Sequence, residues 1–361
     1  MGIGIGVFKL SLAVLLAAFG VSLVKPELFL LLPNGFVLWA ITGHDMPPYF
    51  DQSTFKNTSW LKEGDVIVDV QVKCGTNWML TIVHELRTWN LDHLREFEQI
   101  NDVAPWAEFV MYPGQTPAER PRDWGQPGKP ETWNSPEYPF RLFKSHLLPF
   151  TGNADWDKDA GIQVEKVPNV KFIVMSRNSK DVIYSLYPFL ASHREKFRAT
   201  WGGFPPVYEG TDGFEEHLDF CLQENIQMAT FIRNWWQFRN EPNVLLLHYS
   251  DVLNDTPGSL RRIAKYLDLQ VPDQALKNIA ERVSIKFMRA RNSRYLYRYG
   301  KDRESLVIKS TKGSIIRKGG TGDYKSVMSP EGEAKIEKHL DRVLGADTEL
   351  RKWSQHGGPL P

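Results

Sequence analysis

The sequence predicts an α/β protein with a central parallel sheet flanked by helices. Four short apolar runs have the length and composition of buried strands, and segments with helical periodicity alternate with them. Strands that alternate with helices form a parallel sheet covered on both faces. The chain has 361 residues, of which 42% are hydrophobic and 24% are charged, as in globular proteins with a sizeable core. This composition excludes a disordered, collagen-like or coiled-coil chain.

Each predicted element rests on a local pattern. Strands are expected where a short apolar run lies between turn residues, and helices where apolar side chains recur every three or four residues. The predicted strands are 65–70, 141–144, 170–175 and 243–249. The predicted helices are 76–89, 179–192, 214–240, 257–268, 273–284 and 329–345.

Charge and cysteine content exclude several classes of function. With 44 Lys and Arg against 43 Asp and Glu, the formal net charge is +1. Such a chain does not bind nucleic acid or an anionic membrane through bulk charge. Two cysteines, Cys74 and Cys221, provide neither a disulfide framework nor a cysteine-based metal site. No cluster of carboxylates in the sequence indicates a metal, so none is expected.

The N-terminal segment, residues 1–46, differs from the rest of the chain. Residues 2–24 are nearly all apolar, interrupted by Lys9. About 20 apolar residues are needed to cross a bilayer. We interpret 1–46 as a membrane anchor or targeting segment. A cleaved signal peptide and a buried or mitochondrial-type leader stay open as alternatives. Residues 47–361 are then the folded domain.

A strand, a tight turn and a helix N-terminus meet at residues 72–78. Gly75 in this turn lets the backbone approach a ligand closely. Backbone N–H groups at a helix N-terminus favour a negative charge, and Lys73 adds a point charge for a phosphate or sulfate oxygen. The chain has no G-x-x-x-x-G-K-[ST] motif, so this is not a Walker A loop. An ordinary strand-to-helix turn is the alternative interpretation.

Candidate catalytic and binding side chains follow the next two predicted strands. His146, two residues after Lys144, suits a general base beside an anionic group, although a structural histidine is the commoner case. Arg177 can bind a phosphate through two hydrogen bonds, and Ser185 can donate a third. Ligands of open α/β sheets bind beyond the carboxyl ends of the strands. A glycine-rich basic loop at 317–323 can wrap a phosphate with its amides, or form a solvated turn.

These segments, taken in order over residues 60–345, resemble the sulfotransferase family, specifically its cytosolic-type branch acting on small molecules. The run Lys73-Cys74-Gly75-Thr76-Asn77-Trp78 resembles the family's 5′-phosphosulfate loop, Lys-Ser-Gly-Thr-Thr-Trp. Lys144-Ser145-His146-Leu147 resembles Lys-Thr-His-Leu, which contains the catalytic histidine. Arg177 to Ser185 resembles the 3′-phosphate motif, with the spacing of eight residues kept. Three further matches contain Tyr249, Ser284 and the loop that begins with Arg317-Lys318-Gly319.

The resemblance implies the sulfuryl donor 3′-phosphoadenosine-5′-phosphosulfate (PAPS) as co-substrate, without a metal. It implies that His146 takes a proton from the acceptor hydroxyl, while Lys73 and Lys144 stabilise charge on the transferring group. The implied donor-binding residues are Lys73, Cys74, Gly75, Thr76 and Asn77 at the 5′-phosphosulfate, Trp78 and Tyr249 around the adenine, and Arg177, Ser185, Arg317, Lys318 and Gly319 at the 3′-phosphate. Ser284 is implied as a further donor-binding residue. The implied fold is the nucleotide-kinase-like P-loop architecture.

The resemblance also sets expectations about the acceptor and the location of the protein. The acceptor is expected to be a small organic molecule with a hydroxyl group: a phenol, an alcohol or a sterol, with an amine as an open alternative. Its pocket walls are expected in segments 104–139 and 194–213. The aromatic candidates, each with core packing as the alternative, are Trp106, Trp124, Trp133, Phe140, Tyr187 and Trp201. The protein is expected at a membrane or in the cytoplasm, with the Golgi lumen as an open alternative.

Departures from the family pattern leave rival functions open. Cys74 stands where the family has Ser, and Asn77 where it has Thr. Most of the family's short dimer motif is missing near residue 329, so the oligomeric state stays open. A membrane-anchored Golgi enzyme acting on carbohydrates would be glycosylated at Asn57 or Asn254. A P-loop kinase would prefer ATP, and a non-catalytic relative would bind the nucleotide alone.

Overall fold

The structure is a computed structural model. It describes residues 49–50, 52–110, 116, 133–153, 160–193, 198, 205–210, 212–296, 315–346 and 348–360. The N-terminal segment 1–46 lies outside the described residues, and so do Trp124 and Trp201. Within the described ranges, no helix is both long enough and apolar enough to cross a membrane.

A four-stranded parallel sheet forms the centre of the described fold, which confirms the predicted fold class. Its strands are β2 (Val66–Val70), β4 (Leu142–Ser145), β5 (Lys171–Ser176) and β6 (Val244–His248). Each agrees with its predicted bounds within one residue at either end. A second, antiparallel pair consists of β1 (Tyr49–Phe50) and β3 (Phe109–Val110).

The strand order places the strand before the candidate anion loop inside the sheet. The order is β4-β2-β5-β6, and all neighbours are parallel. The chain therefore goes from β2 to one neighbour, β4, and then crosses back to the other, β5. A reversal of this kind opens a crevice at the carboxyl ends of the strands, where ligands of α/β proteins bind.

Helices flank the sheet in the described part of the chain. They are α1 (Thr76–Arg87), α2 (Asp92–Arg95), α3 (Ile100–Val103), α4 (Ser179–Ala191), α5 (Gly213–Leu222), α6 (Met228–Trp236), α7 (Tyr249–Asn254), α8 (Thr256–Tyr266), α9 (Asp273–Arg282), α10 (Ile285–Ala290), α11 (Pro330–Leu344) and α12 (Glu349–His356). Five predicted helices agree within two residues at each end. Four short helices and α12 were not predicted.

The predicted single helix 214–240 is wrong, because a turn at 223–227 divides it into α5 and α6. Glu224 and Gln227 have φ angles of 59° and 52°. These are left-handed conformations that no residue within a right-handed helix adopts. The polar residues of the turn interrupt the apolar periodicity only briefly, so the sequence pattern did not reveal the break.

The alternation of side chains along the strands divides the core into two clusters. Ile67, Phe172 and Val174 pack on one face of the sheet, in a cluster that includes residues of α4, α6 and α11. Val68 and Ile173 pack on the opposite face, in a cluster that includes residues of α1, α8 and α9. Complete burial of a side chain of this size contributes about 1.5–3 kcal/mol. The two clusters hold the loops at the carboxyl ends of the strands on a rigid base.

Candidate active site

A cavity of about 740 Å³ lies at the carboxyl ends of the strands. It brings together the sequence-predicted site residues from six separate segments, except Cys74. Those on its wall are Lys73, Gly75, Thr76, Asn77, Trp78, Lys144, His146, Arg177, Ser185, Tyr249, Ser284, Arg317, Lys318 and Gly319. The volume is typical of a small-molecule site.

The loop after β2 has the shape of an anion-binding turn. Lys73 and Gly75 have φ angles of 64° and 93°, and α1 begins at the next residue, Thr76. A Cβ atom on Gly75 would lie 3.0 Å from the Tyr249 ring and 3.2 Å from the Met175 methyl group. Glycine is therefore required here both by its backbone conformation and by the close approach of the β6 end.

Two aromatic side chains form one end of the cavity. The rings of Trp78 and Tyr249 meet edge to face, with centroids 5.3 Å apart. The Trp78 indole N–H donates to the carbonyl oxygen of Val283 at 2.9 Å, which fixes the plane of the ring. This arrangement suits a flat aromatic ligand, because aromatic groups stack or meet at an edge with a favourable energy.

Arg177 joins the loop after β2 to the glycine-rich basic loop. Its guanidinium donates to the carbonyl oxygens of Lys73, at 3.2 Å, and of Gly320, at 2.8 Å. The Asp181 carboxylate accepts the N–H of Gly322 at 2.9 Å and so holds the same loop from α4. Three structural elements therefore converge on one basic corner of the cavity.

The basic loop contributes two further cations to this corner. Arg317 and Lys318 lie 3.7 and 3.2 Å from the carboxylate of Asp323. Gly319 has a φ of 71°, and a Cβ atom there would lie 2.7 Å from the Ile285 side chain. The backbone of the basic loop can pass this close to α10 only with glycine at position 319. The loop amides therefore lie near the cavity.

One hydrogen bond orients the ring of His146, and a second holds its backbone. The ring Nδ1 lies 2.5 Å from the carbonyl oxygen of Val70, and the backbone N–H of His146 donates to the Glu108 carboxylate at 2.5 Å. A carbonyl oxygen only accepts, so Nδ1 carries the proton and Nε2 carries the lone pair. Burial, and then the nearby positive charge of Lys144, lower the pKa of His146 well below its usual value. The neutral, basic form therefore persists at neutral pH.

The two lysines of the site lie against aromatic rings. The ammonium of Lys73 is 3.8 Å from the ring centroid of Phe189, and that of Lys144 is 3.5 Å from the centroid of Trp106. Burial lowers the pKa of Lys73 to about 7, with a further contribution from Arg177. Burial also lowers the pKa of Lys144 to about 7, although Glu108 opposes the shift. Both lysines therefore titrate near neutral pH.

Three polar residues close to the site were missed by sequence reasoning: Asp69, Gln71 and Glu108. Asp69 is fully buried, and burial followed by the charge of Glu108 raises its pKa well above the usual value. The Gln71 side chain donates to the carbonyl oxygen of Met228 on α6. An acid within the apolar strand run 65–70 was the one available signal; nothing local distinguishes Gln71 or Glu108.

Cys74 differs from the other predicted binding residues. Its thiol is fully buried and donates to the Gln71 side chain at 3.3 Å. Burial raises the pKa of this thiol far above its usual value. The side chain therefore acts as a packed neutral group below the loop.

The predicted aromatic pocket residues separate into two groups. Trp106 lies on the cavity wall, beside the His146 ring at a centroid distance of 5.0 Å. Trp133 packs against Phe143, and Tyr187 packs against Phe214 and His217. Phe140 packs against a core cluster. For these three residues, core packing is the interpretation that the structure supports.

A parallel sheet that gathers basic side chains and a helix N-terminus at its carboxyl edge defines an anion-binding α/β protein. The family model of the sulfotransferase domain matches residues 63–348, more than half of the chain. The chain belongs to the sulfotransferase family.

Curated relatives and solved structures agree with this assignment. Sulfotransferase 2A2 of Rattus norvegicus is 25% identical over 298 residues, which are 81% of this chain and 89% of the relative. Sulfotransferase 1B1 of Canis lupus familiaris is 24% identical over 290 residues, 79% of this chain and 84% of the relative. Mouse sulfotransferase SULT7A1 complexed with PAP has a TM-score of 0.55 at 18% identity, covering 81% of this chain and 87% of that structure. Retinol dehydratase with androsterone and the inactive cofactor PAP has a TM-score of 0.57 at 18% identity, covering 82% and 84%. The two structures show the fold.

Proposed function

We propose that this sulfotransferase transfers the sulfuryl group of PAPS to a hydroxyl group of a small, largely apolar organic acceptor. The observation that carries the proposal is the position of His146. His146 lines the same cavity as Lys73, Lys144 and an anion-binding turn, and its Nδ1 contact leaves the lone pair of the ring on Nε2. Group transfer to a hydroxyl needs a base for the proton and cations for the developing charge. One cavity provides both.

The donor is expected to bind along the path from the loop after β2 to the basic corner. Thr76, Lys73 and the amides at the start of α1 suit the 5′-phosphosulfate. Trp78 and Tyr249 suit the adenine ring. The basic corner suits the 3′-phosphate, and its binding residues are Arg177, Ser185, Arg317, Lys318 and Gly319. The two solved relatives named above contain PAP, which supports this assignment.

The mechanism follows from the charges at the site. The acceptor hydroxyl gives its proton to Nε2 of His146 while its oxygen bonds to sulfur on the side opposite the leaving phosphate. The bond between sulfur and the bridging phosphate oxygen breaks, and that oxygen keeps the electron pair as part of 3′-phosphoadenosine-5′-phosphate (PAP). Lys73 and Lys144 stabilise the negative charge when protonated, because an adjacent anion favours the ammonium form. Positioning and charge stabilisation are sufficient for transfer of an already activated group.

The acceptor class follows from the apolar part of the cavity wall, of which Trp106 lies beside the His146 ring. Its apolar side chains include Leu147, Leu186, Phe189, Leu190, Trp106 and Phe109. An apolar wall with few polar groups selects apolar molecules, and the base selects a hydroxyl. Retinol dehydratase, a structural neighbour, has been solved with androsterone and with retinol, two molecules of this class.

Calorimetric titration of the full chain with PAP, ATP and adenosine 5′-phosphosulfate tests the donor assignment. We expect PAP to bind at least tenfold more tightly than the two nucleotides that lack a 3′-phosphate, because charge-assisted hydrogen bonds at the 3′-phosphate contribute about 1.5–3 kcal/mol each. Preference for ATP would support the P-loop kinase instead. Sulfation of a carbohydrate chain but not of a phenol or sterol would support the Golgi alternative.

A further inference from the structure

The turn at residues 223–227, between α5 and α6, combines strained backbone with exposure to the cavity. Glu224 and Gln227 are both left-handed, at φ 59° and 52°, although both have a Cβ atom. Asn225, Ile226 and Gln227 all lie on the cavity wall. Non-glycine residues in this conformation persist only where the surrounding contacts enforce it, and they concentrate at ligand sites.

Glu224 enforces the conformation of the turn. Its carboxylate accepts the N–H groups of Ala229 and Thr230 at 3.1 and 3.0 Å, at the start of α6. The same carboxylate accepts the Nε2–H of His339 on α11 at 2.5 Å. The His339 Nδ1 in turn accepts from Arg342 at 3.0 Å, which fixes the tautomer. A hydrogen-bond chain from α11 therefore sets the position of a turn on the cavity wall.

The turn is coupled to the reacting end of the cavity. The Gln71 side chain donates to the carbonyl oxygen of Met228, one residue after the turn. Gln71 follows Val70, whose carbonyl oxygen orients His146, and it precedes Lys73 by two residues. Helix α6 also packs against α4, which carries Phe189 beneath the Lys73 ammonium.

Ile226, within this turn, contacts both core clusters and the cavity. It is a partly buried side chain that packs against both core clusters, one from each face of the sheet, and it also lines the cavity. Its position is therefore fixed by packing on two sides, while its remaining surface faces the space available to a ligand. A rigid apolar side chain of this kind limits the size of the molecule beside it.

We propose that the turn 223–227 is the size-selecting wall of the acceptor end, with Ile226 as a specificity-determining residue and Glu224 as its positioning residue. The inference rests on the proposed function, since it concerns the acceptor of that reaction. Ile226 sets how far an apolar acceptor extends beyond its hydroxyl group. Glu224 acts through the turn and does not touch the acceptor.

The test compares the binding of 4-ethylphenol and 4-octylphenol to the PAP complex of the full chain, followed by tryptophan fluorescence. The quantity compared is the ratio of the dissociation constant of 4-octylphenol to that of 4-ethylphenol. Ile226→Trp makes the wall bulkier and is expected to raise this ratio about tenfold. Ile226→Ala is expected to lower the ratio about tenfold. Glu224→Ala is expected to change the ratio while the PAP dissociation constant stays within about twofold, since the loss is confined to the acceptor wall.

Ile232→Val is the control, because Ile232 is a buried residue on α6, the helix that begins directly after the turn, and belongs to a core cluster. It is expected to lower the melting temperature without changing the ratio. PAP binding with an unchanged ratio in Ile226→Trp would overturn this inference and leave the proposed function intact. The inference would also be overturned if neither phenol bound to the wild-type PAP complex, or if Ile232→Val changed the ratio as much as Ile226→Trp does. Failure of PAP to bind the folded wild-type chain would overturn the proposed function, and this inference with it.

Discussion

Nδ1 of His146 lies 2.5 Å from the carbonyl oxygen of Val70, a residue 76 positions earlier in the chain. This contact fixes the tautomer, so the lone pair of the ring is on Nε2. It also links the ends of two adjacent parallel strands, β4 and β2. The orientation of the proposed base is therefore set by backbone geometry and does not depend on a mobile side chain.

Replacement of this base should abolish turnover without preventing donor binding. We expect His146→Ala to lower kcat by about 10²–10⁴-fold, the usual contribution of a general base. PAP affinity should change less than about threefold, because the ring supplies no positive charge at neutral pH. Single-turnover sulfation of 2-naphthol and calorimetry with PAP measure the two effects. Turnover near the wild-type rate would contradict the assignment of the base.

Binding of PAP should take up protons at pH 8. The pKa values of Lys73 and Lys144 are both about 7, so the ammonium form is the minority at pH 8 in the free protein. A bound anion raises these pKa values, so lysines that were neutral become charged. Affinity should accordingly fall as the pH rises above 7. Calorimetry in buffers of different ionisation enthalpy gives the number of protons, and Lys144→Met should reduce it. Zero uptake would contradict the lowered pKa values.

Removal of Arg177 should impair recognition of the 3′-phosphate selectively. Its guanidinium lies at the basic corner, joined to the carbonyl oxygens of Lys73 and Gly320. We expect Arg177→Ala to lower the affinity for PAP about 10–100-fold, as loss of a charge-assisted hydrogen bond does. The affinity for adenosine 5′-phosphosulfate should fall much less. Lys265→Ala on α8 is a control of like charge change. Equal losses for both nucleotides would mean that Arg177 acts only through the loop backbone.

A methyl group on Gly75 should cost more stability than the same change at Gly152. Both glycines have a left-handed φ, 93° and 77°, so both substitutions carry a strain of about 1–2 kcal/mol. Only at Gly75 would the new Cβ meet neighbours, 3.0 Å from Tyr249 and 3.2 Å from Met175. Urea unfolding of Gly75→Ala and Gly152→Ala measures the difference. Equal losses would show that the Tyr249 ring moves aside freely.

The two thiols should be unreactive in the folded protein. Burial raises the pKa of Cys221 to about 12 and raises that of Cys74 further. The thiolate is the nucleophile, so its population at pH 8 is very small. Mass spectrometry after treatment with iodoacetamide should find both thiols intact in the native protein and modified in urea. Selective alkylation of native Cys74 would show that the loop after β2 opens.

Local patterns predicted the sheet, and together with the family resemblance they named residues that the structure brings to one cavity. The strand bounds agree within one residue, because short apolar runs between turn residues have few alternatives in a buried sheet. Lys73, Lys144 and Arg177 converge because each lies within three residues of the carboxyl end of a parallel strand. Topology alone brings such positions to one edge. What the individual residues do in the reaction remains a proposal.

The features that the sequence analysis missed depend on contacts between distant residues. Glu108 meets the N–H of His146 across 38 positions, and Gln71 meets Met228 across 157. No periodicity signals either contact. The break at Glu224 likewise depends on His339, which lies on a helix more than a hundred residues later. Helix propensity within 214–240 was overridden by these tertiary hydrogen bonds.

The strand order also has a kinetic consequence. The base, the cations and the anion-binding turn come from strands that pair only across long stretches of chain, since β2 lies between β4 and β5. Contacts of high sequence separation form slowly, because the chain must first close large loops. A newly made chain therefore acquires its helices before it has any site. Recovery of sulfation during refolding should lag behind recovery of the far-ultraviolet circular dichroism signal.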